Sequence, residues 1–268
     1  MNTTTDKSEF PPDLDDSVLN EVRHEPDPGF APRLRAELRG RQARATRTLW
    51  WFDLELPVGA IRLVHDGQLV HLVENDMQRF ESRAEHELGF EPPFGEAPRV
   101  REAAEDVLAG QRRGNEIAFL GELTPFQQSV LRATSRIPRG AVRPYGWVAR
   151  EAGNPGAVRA TGTTLGHNPV PFIVPCHRVV RADWSLGKYS AGGTEVKEAV
   201  LQMEGLTPGT LDWIQHAPRF VGQFDSMEFC LPACTGLDTE PPDNLKGFAR
   251  PEDAMAEGFA PCDDCRPV

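Results

Sequence analysis

The chain has 268 residues, 40 acidic against 29 basic for a net charge of -11, 39% hydrophobic residues and a mean hydropathy of -0.44. That length buries a sizeable core and can hold one large domain or two to three small ones. No run approaches the roughly 18 apolar residues needed to span a bilayer, and the start, MNTTTDKSEFPPDLDD, lacks the basic and apolar regions of a secretory signal. A cytoplasmic protein is expected, in which five reduced cysteines serve as metal ligands or nucleophiles rather than disulfides.

The charge is segregated. From Phe126 to Ser190 there are nine basic residues and two acidic ones, whereas from Arg219 to the end there are four basic and ten acidic. Phosphate binding depends on local charge, so the middle block suits DNA despite the negative total.

Residues 1–30 are rich in Asp, Glu and Pro, with little to bury, and are expected to be disordered; 31–47 reads as a short basic helix on the surface. In 50–75, short apolar runs break at Pro57–Gly59 and at Asp66–Gly67, which predicts antiparallel hairpins. Residues 96–114 read as an amphipathic helix ended by glycine, so that 48–118 makes a small α/β scaffold. PFQQSVLRATSRIP is a helix stopped by Pro138. YGWVAREAG, the turn at 153–155 and GAVRATGTTLG then make a helix-turn-helix, its second helix slim except for Arg159. NPVPFIVPCHRVV, 168–180, reads as a stiff buried strand presenting Cys176, His177 and Arg178 at its end.

That last stretch, with LGKYSAGGTEVKEAVLQMEG after it, resembles the O6-alkylguanine-DNA alkyltransferases (methylated-DNA–protein-cysteine methyltransferases) over about 120–206 and more weakly from about 50. The resemblance implies Cys176 as nucleophile, His177 as its base and Glu204 as the carboxylate orienting the imidazole. A thiol at its usual pKa of about 8.5 needs such help. It further implies DNA and base contacts by Tyr145, Arg159 (an arginine finger), Asn168 (tying the helix-turn-helix to the active-site strand), Arg178, Val179, Tyr189 and Ser190. The implied reaction is irreversible, single-turnover transfer of an alkyl group from guanine O6, or from thymine O4, in double-stranded DNA to Cys176 after base flipping by a monomer. Trp184 and Lys188 depart from the family's pattern.

Cys230, Cys234, Cys262 and Cys265 form C-x3-C, twenty-seven residues, then C-x2-C, a four-thiolate zinc signature. The segments resemble the zinc domain of the adaptive-response protein Ada, which implies either a structural zinc or a methyl-accepting Cys230. Leu231 and Thr235 stand where that family has arginines. The expected fold class is α+β: an antiparallel sheet with helix at 48–118, a helical alkyltransferase domain with helix-turn-helix at 119–208 and a small zinc domain at 218–268. A damage sensor that binds without repair, or a thiol hydrolase, are the alternatives.

Overall fold

The computed structural model describes residues 48–237 and 244–268; the segments read above as acidic and as a basic helix, 1–30 and 31–47, lie outside the described residues. The chain opens with a three-stranded antiparallel meander, β1 (Trp50–Leu56), β2 (Gly59–His65) and β3 (Val70–Glu74). The hairpins fall at the two expected breaks, and Gly67 adopts φ +87°, the left-handed conformation an Asp-Gly turn exploits.

Alternation along the strands feeds two faces. Val64 and Leu72 pack with Phe80 and Ala84 of helix α1 (Met77–Leu88). Phe52, Leu54, Ile61, Leu63 and Val73 join Val100, Ala103, Ala104 and Val107 of α2 (Pro98–Leu108) in the main core. Helix α1 is absent from the sequence reading above, although Asp76 caps its start and Gly89 its end.

Next comes α3 (Pro125–Thr134), started by a Thr124–Gln127 capping box. The two-residue strand β4 (Arg143–Pro144) leads directly into α4 (Tyr145–Glu151), and α5 (Val158–Gly166) completes the helix-turn-helix. After the 168–175 segment a 3-10 turn, Cys176–Arg178, passes into β5 (Val179–Val180), which pairs in parallel with β4. Helices α6 (Gly193–Met203) and α7 (Pro208–His216) follow. The C-terminal region holds β6 (Phe220–Gln223), β7 (Glu228–Cys230), β8 (Leu245–Phe248), α8 (Pro251–Ala256) and β9 (Ala260–Pro261), in sheet order β8-β6-β7-β9. The architecture is α+β, and one continuous buried cluster extends from Phe52 to Cys265.

Residues 168–175 are buried but are not a strand, which corrects the reading above. Pro169, Pro171 and Pro175 have no N–H to give a ladder, so the segment satisfies itself by turns, including Val174 N–H to the Val170 carbonyl at 2.9 Å. It is braced from the N-terminal layer instead. Val73 N–H donates to the Pro169 carbonyl at 2.9 Å, and Arg83 donates to the Val73 carbonyl and to buried Glu74. Gly114 packs so closely that a Cβ there would lie 1.7 Å from the Ile173 carbonyl oxygen. Gly114→Ala is therefore expected to displace this segment and cost about 1–3 kcal/mol, seen as a fall in Tm of several degrees. An unchanged Tm would show that the segment is not held by this contact.

Candidate active site

Cys176 sits on the 3-10 turn behind the braced segment, 5% exposed. Asn168 organises it: the side-chain amide donates to the Val174 carbonyl at 2.9 Å and to Cys176 Sγ at 3.2 Å, while its oxygen accepts from Val170 N–H at 3.1 Å. One residue thus joins the end of α5 to the Cys176 turn. Burial pushes the Cys176 thiol above its ordinary pKa, opposed by the Asn168 hydrogen bond and the nearby Lys197 ammonium.

His177, 1% exposed, donates from Nε2 to Glu204 Oε1 at 2.9 Å. A carboxylate only accepts, so Nε2 carries the proton and Nδ1 is the basic atom of the neutral ring. Nδ1 is buried and has no hydrogen-bond partner. Burial holds the imidazole below its usual pKa, against the pull of Glu204. Burial alone would raise the Glu204 carboxyl, but the hydrogen bonds and charges of His177 and Arg178 prevail and hold it at about 2. At neutral pH the site therefore contains a protonated thiol, a neutral imidazole and a carboxylate.

Glu204 is placed by the end of α6, where Gly205 at φ +104° turns the chain away. Arg178 clamps it through Nη2 to Oε1 at 2.7 Å and Nε to Oε2 at 2.9 Å, and its Nη1 donates to the Ile137 carbonyl at 2.6 Å. Arg178, expected above to contact DNA, has its side chain engaged by Glu204 and Ile137. Its guanidinium is 7% exposed and committed to the carboxylate that orients His177.

Tyr189 is buried, its ring edge-on to His177 at 6.2 Å and to Phe172 at 6.3 Å, with a buried hydroxyl lacking a partner. Phe172 is held at φ +68°, an uncommon conformation for a bulky residue and a sign of local over-determination. Tyr189 thus packs against the imidazole, while the adjacent Ser190 is exposed. Tyr145, half-buried at the start of α4, lies against Gly162 of α5, and its hydroxyl is raised in pKa by burial and by Cys176. Arg159 projects from the exposed face of α5 with Ala160 and Thr163. The Val179 carbonyl accepts from Lys197 Nζ, which also donates to Leu186.

Lys197 escaped the sequence reading. It is 1% exposed on α6, burial lowers it to about 8, and the Cys176 charge acts against that fall. Its only signal was a charge inside the apolar face of EVKEAV. Trp184 is buried as well, at φ +63°. It lines a cavity of about 350 Å³ with Trp147, Phe220 and Leu231, so this departure packs toward the C-terminal region.

The family model for the DNA-binding domain of 6-O-methylguanine DNA methyltransferase matches residues 125–206, which contain every one of these groups except the braces from 73–114. A methylated-DNA–protein-cysteine methyltransferase of Methanosarcina acetivorans is 36% identical over 162 residues, 59% of this chain and 99% of the relative. The chain belongs to the methylated-DNA–protein-cysteine methyltransferases. The constitutive methyltransferase of Bacillus subtilis is 37% identical over 115 residues, covering 42% of this chain and 70% of its own. The O6-methylguanine methyltransferase of Mycobacterium tuberculosis aligns at 33% identity over 58% of this chain and 92% of its own, with a TM-score of 0.49.

The family model ends before the second cluster of this methyltransferase. Cys230, Cys234, Cys262 and Cys265 are buried free thiols whose sulfurs all lie within 4.8 Å of one another. Cys230 ends β7, Cys234 precedes a 3-10 turn, and Cys262 and Cys265 follow β9. Tetrahedral metal–sulfur bonds of about 2.3 Å put sulfurs about 3.8 Å apart, so this donor set fits a metal ion. The Leu231 N–H donates to Cys265 Sγ at 3.3 Å, as ligating thiolates require of their surroundings.

On the proposal that His177 is the base, its lowered pKa fixes the pH dependence of alkyl transfer. His177 should remain a neutral base as pH falls through 6.5, its ordinary value, so the acid limb of the rate profile should lie below that pH. Glu204→Gln removes the charge that stabilises imidazolium. The plateau is expected to drop roughly 100-fold and the acid limb to move further toward low pH, measured by single-turnover transfer across the pH range. An acid limb above pH 6.5, or one that Glu204→Gln moves upward, would contradict the assigned roles.

Proposed function

We propose that this protein repairs DNA by moving an alkyl group from O6 of guanine to Cys176 Sγ, once per molecule. The observation that carries this reading is the bare Nδ1 of His177, beside the nucleophile's own turn, with Nε2 fixed on Glu204. The thiol proton passes to Nδ1 directly or through one water. A sulfur–carbon bond forms, the carbon–O6 bond breaks, and guanine leaves as its anion and takes up a proton. The product is a thioether with no water-labile bond, so no second cycle follows. Thymine O4 offers the same kind of alkyl carbon.

Reaching that carbon requires extrusion of the base from the stack. The exposed face of α5, built from Arg159, Ala160 and Thr163, is narrow enough for a minor groove about 6 Å wide. In this reading Arg159 fills the space of the extruded base, Tyr145 and Val179 contact the nucleotide, and the loop of Tyr189 and Ser190 borders it. Val179 retains a carbonyl lone pair beyond the one given to Lys197. Residues 48–118 are scaffold, 119–208 carry the chemistry, and one chain suffices.

Zinc is the metal we assign to the four cysteines, because an all-thiolate tetrahedral set suits it. Bound there, it would hold Cys230, Cys234, Cys262 and Cys265 as thiolates and fix the C-terminal fold. A structural role is favoured over methyl acceptance, since Cys230 is 2% exposed and the surrounding segment is acidic. No helix among the described residues is long and apolar enough to cross a membrane, and reduced cysteines fit the cytoplasm.

Intact-mass measurement after incubation with duplex DNA containing O6-methylguanine should show a gain of one methyl group, located at Cys176 by peptide mapping. Cys176→Ala should abolish the gain while duplex binding persists. Methylation that survives this substitution, or no mass gain in the parent protein, would defeat the repair reading; the latter result is the one a non-repairing sensor gives.

A further inference from the structure

Arg143 is 1% exposed, and its side chain is among the largest fully buried ones. Among the described residues it has no carboxylate partner. Nη1 donates to the carbonyls of Val142, at 2.9 Å, and Ala233, at 3.0 Å, and Nε is buried without a partner. A buried cation left in that state is strongly destabilising unless an anion lies close by. Ala233 sits within the Cys230-x3-Cys234 loop. Four thiolates around a divalent ion carry a net charge of -2, which supplies the missing counter-charge.

The same arginine stands at a junction. Its backbone pairs with Val179, the residue after the Cys176–Arg178 turn, and Pro144 and Tyr145 follow it into α4. Further contacts join α4 to the segment of the cysteine cluster. Trp147 Nε1 donates to the Cys265 carbonyl at 2.8 Å, and Arg266 Nη1 bonds Glu151 Oε2 at 2.9 Å.

We propose that Arg143 is the counter-cation of a metal tetrathiolate at Cys230, Cys234, Cys262 and Cys265, and that the loaded centre fixes the start of the DNA-facing helix pair. The C-terminal region is then a positioning element for alkyl transfer. This rests on the zinc and alkyltransferase readings above. Metal loading sets where α4 begins, hence where Tyr145 and α5 meet the duplex, without touching the sulfur of Cys176. The buried guanidinium also offsets part of the thiolates' charge and lowers their nucleophilicity, in keeping with a structural rather than methyl-accepting centre.

The test uses the full chain, zinc-loaded or stripped by chelator under reducing conditions. Metal affinity is read by chelator competition and by the cobalt(II) absorption spectrum. Duplex Kd and the saturating transfer rate are read on the active fraction. Stripping is expected to weaken duplex binding and to slow transfer by up to about 100-fold, the scale of a misplacement of about 1 Å. Arg143→Met should lose about 10- to 100-fold in metal affinity, and Arg143→Lys, which keeps the charge, should recover much of it. Trp147→Phe, which keeps the ring and removes the donor to Cys265, should weaken duplex binding even where Arg143→Met does not fold.

A lowered active fraction with unchanged Kd and rate would mean that the centre only stabilises the chain, and would overturn the proposal. So would undiminished metal affinity in Arg143→Met. Failure of the loaded parent to bind zinc or to become methylated would instead overturn the underlying readings, and the proposal with them.

Discussion

One carboxylate organises this molecule's chemistry. Glu204 accepts from His177 on one side and from Arg178 on the other, all three groups buried. His177 and Arg178 together keep the carboxylate ionised in a place where burial alone would neutralise it. The ionised carboxylate in turn fixes the imidazole tautomer and stabilises the cation that proton transfer creates. Remove the clamp and the imidazole loses the partner that fixes its orientation. The cost of three buried polar groups is met because each finds a partner, the unpartnered Nδ1 excepted.

A site of this kind needs a rigid mount, and here the mount is not a strand. Three prolines deny residues 168–175 a ladder, so the segment is held by what surrounds it: the Asn168 side chain, the edge of β3 at Val73, Arg83 from α1 and the flat backbone of Gly114. The N-terminal layer contains no nucleophile of its own, yet it decides where Cys176 sits. Burial keeps that thiol protonated in the resting protein, which protects a residue that can be used only once. In the proposed mechanism deprotonation is left to His177 at the moment of reaction.

Much of this was legible in the sequence where the pattern was local. The two turn signals located β1 to β3, the proline and glycine stops bounded the helices around the basic block, and the PCHRV run with QMEG pointed to the same three residues that converge in space. Cysteine spacing alone anticipated the four-sulfur cluster. What escaped depended on long-range placement. Arg178 read as a DNA contact because a basic residue beside a nucleophile usually faces the substrate; only the fold brings Ile137 and Glu204 to it. Lys197 and Arg143 were invisible for the same reason, each a charge whose burial is set by elements far away in the chain. Helix α1 was missed despite its caps and its apolar stripe of Phe80, Ala84 and Leu88.

The account turns on which nitrogen of His177 holds the proton before the alkyl group arrives. Nitrogen-15 NMR of the imidazole in the unreacted protein at neutral pH measures this directly. A neutral ring protonated at Nε2, with an unprotonated Nδ1, is the predicted state. A doubly protonated ring, or a proton on Nδ1 alone, would leave Cys176 with no base and contradict the mechanism.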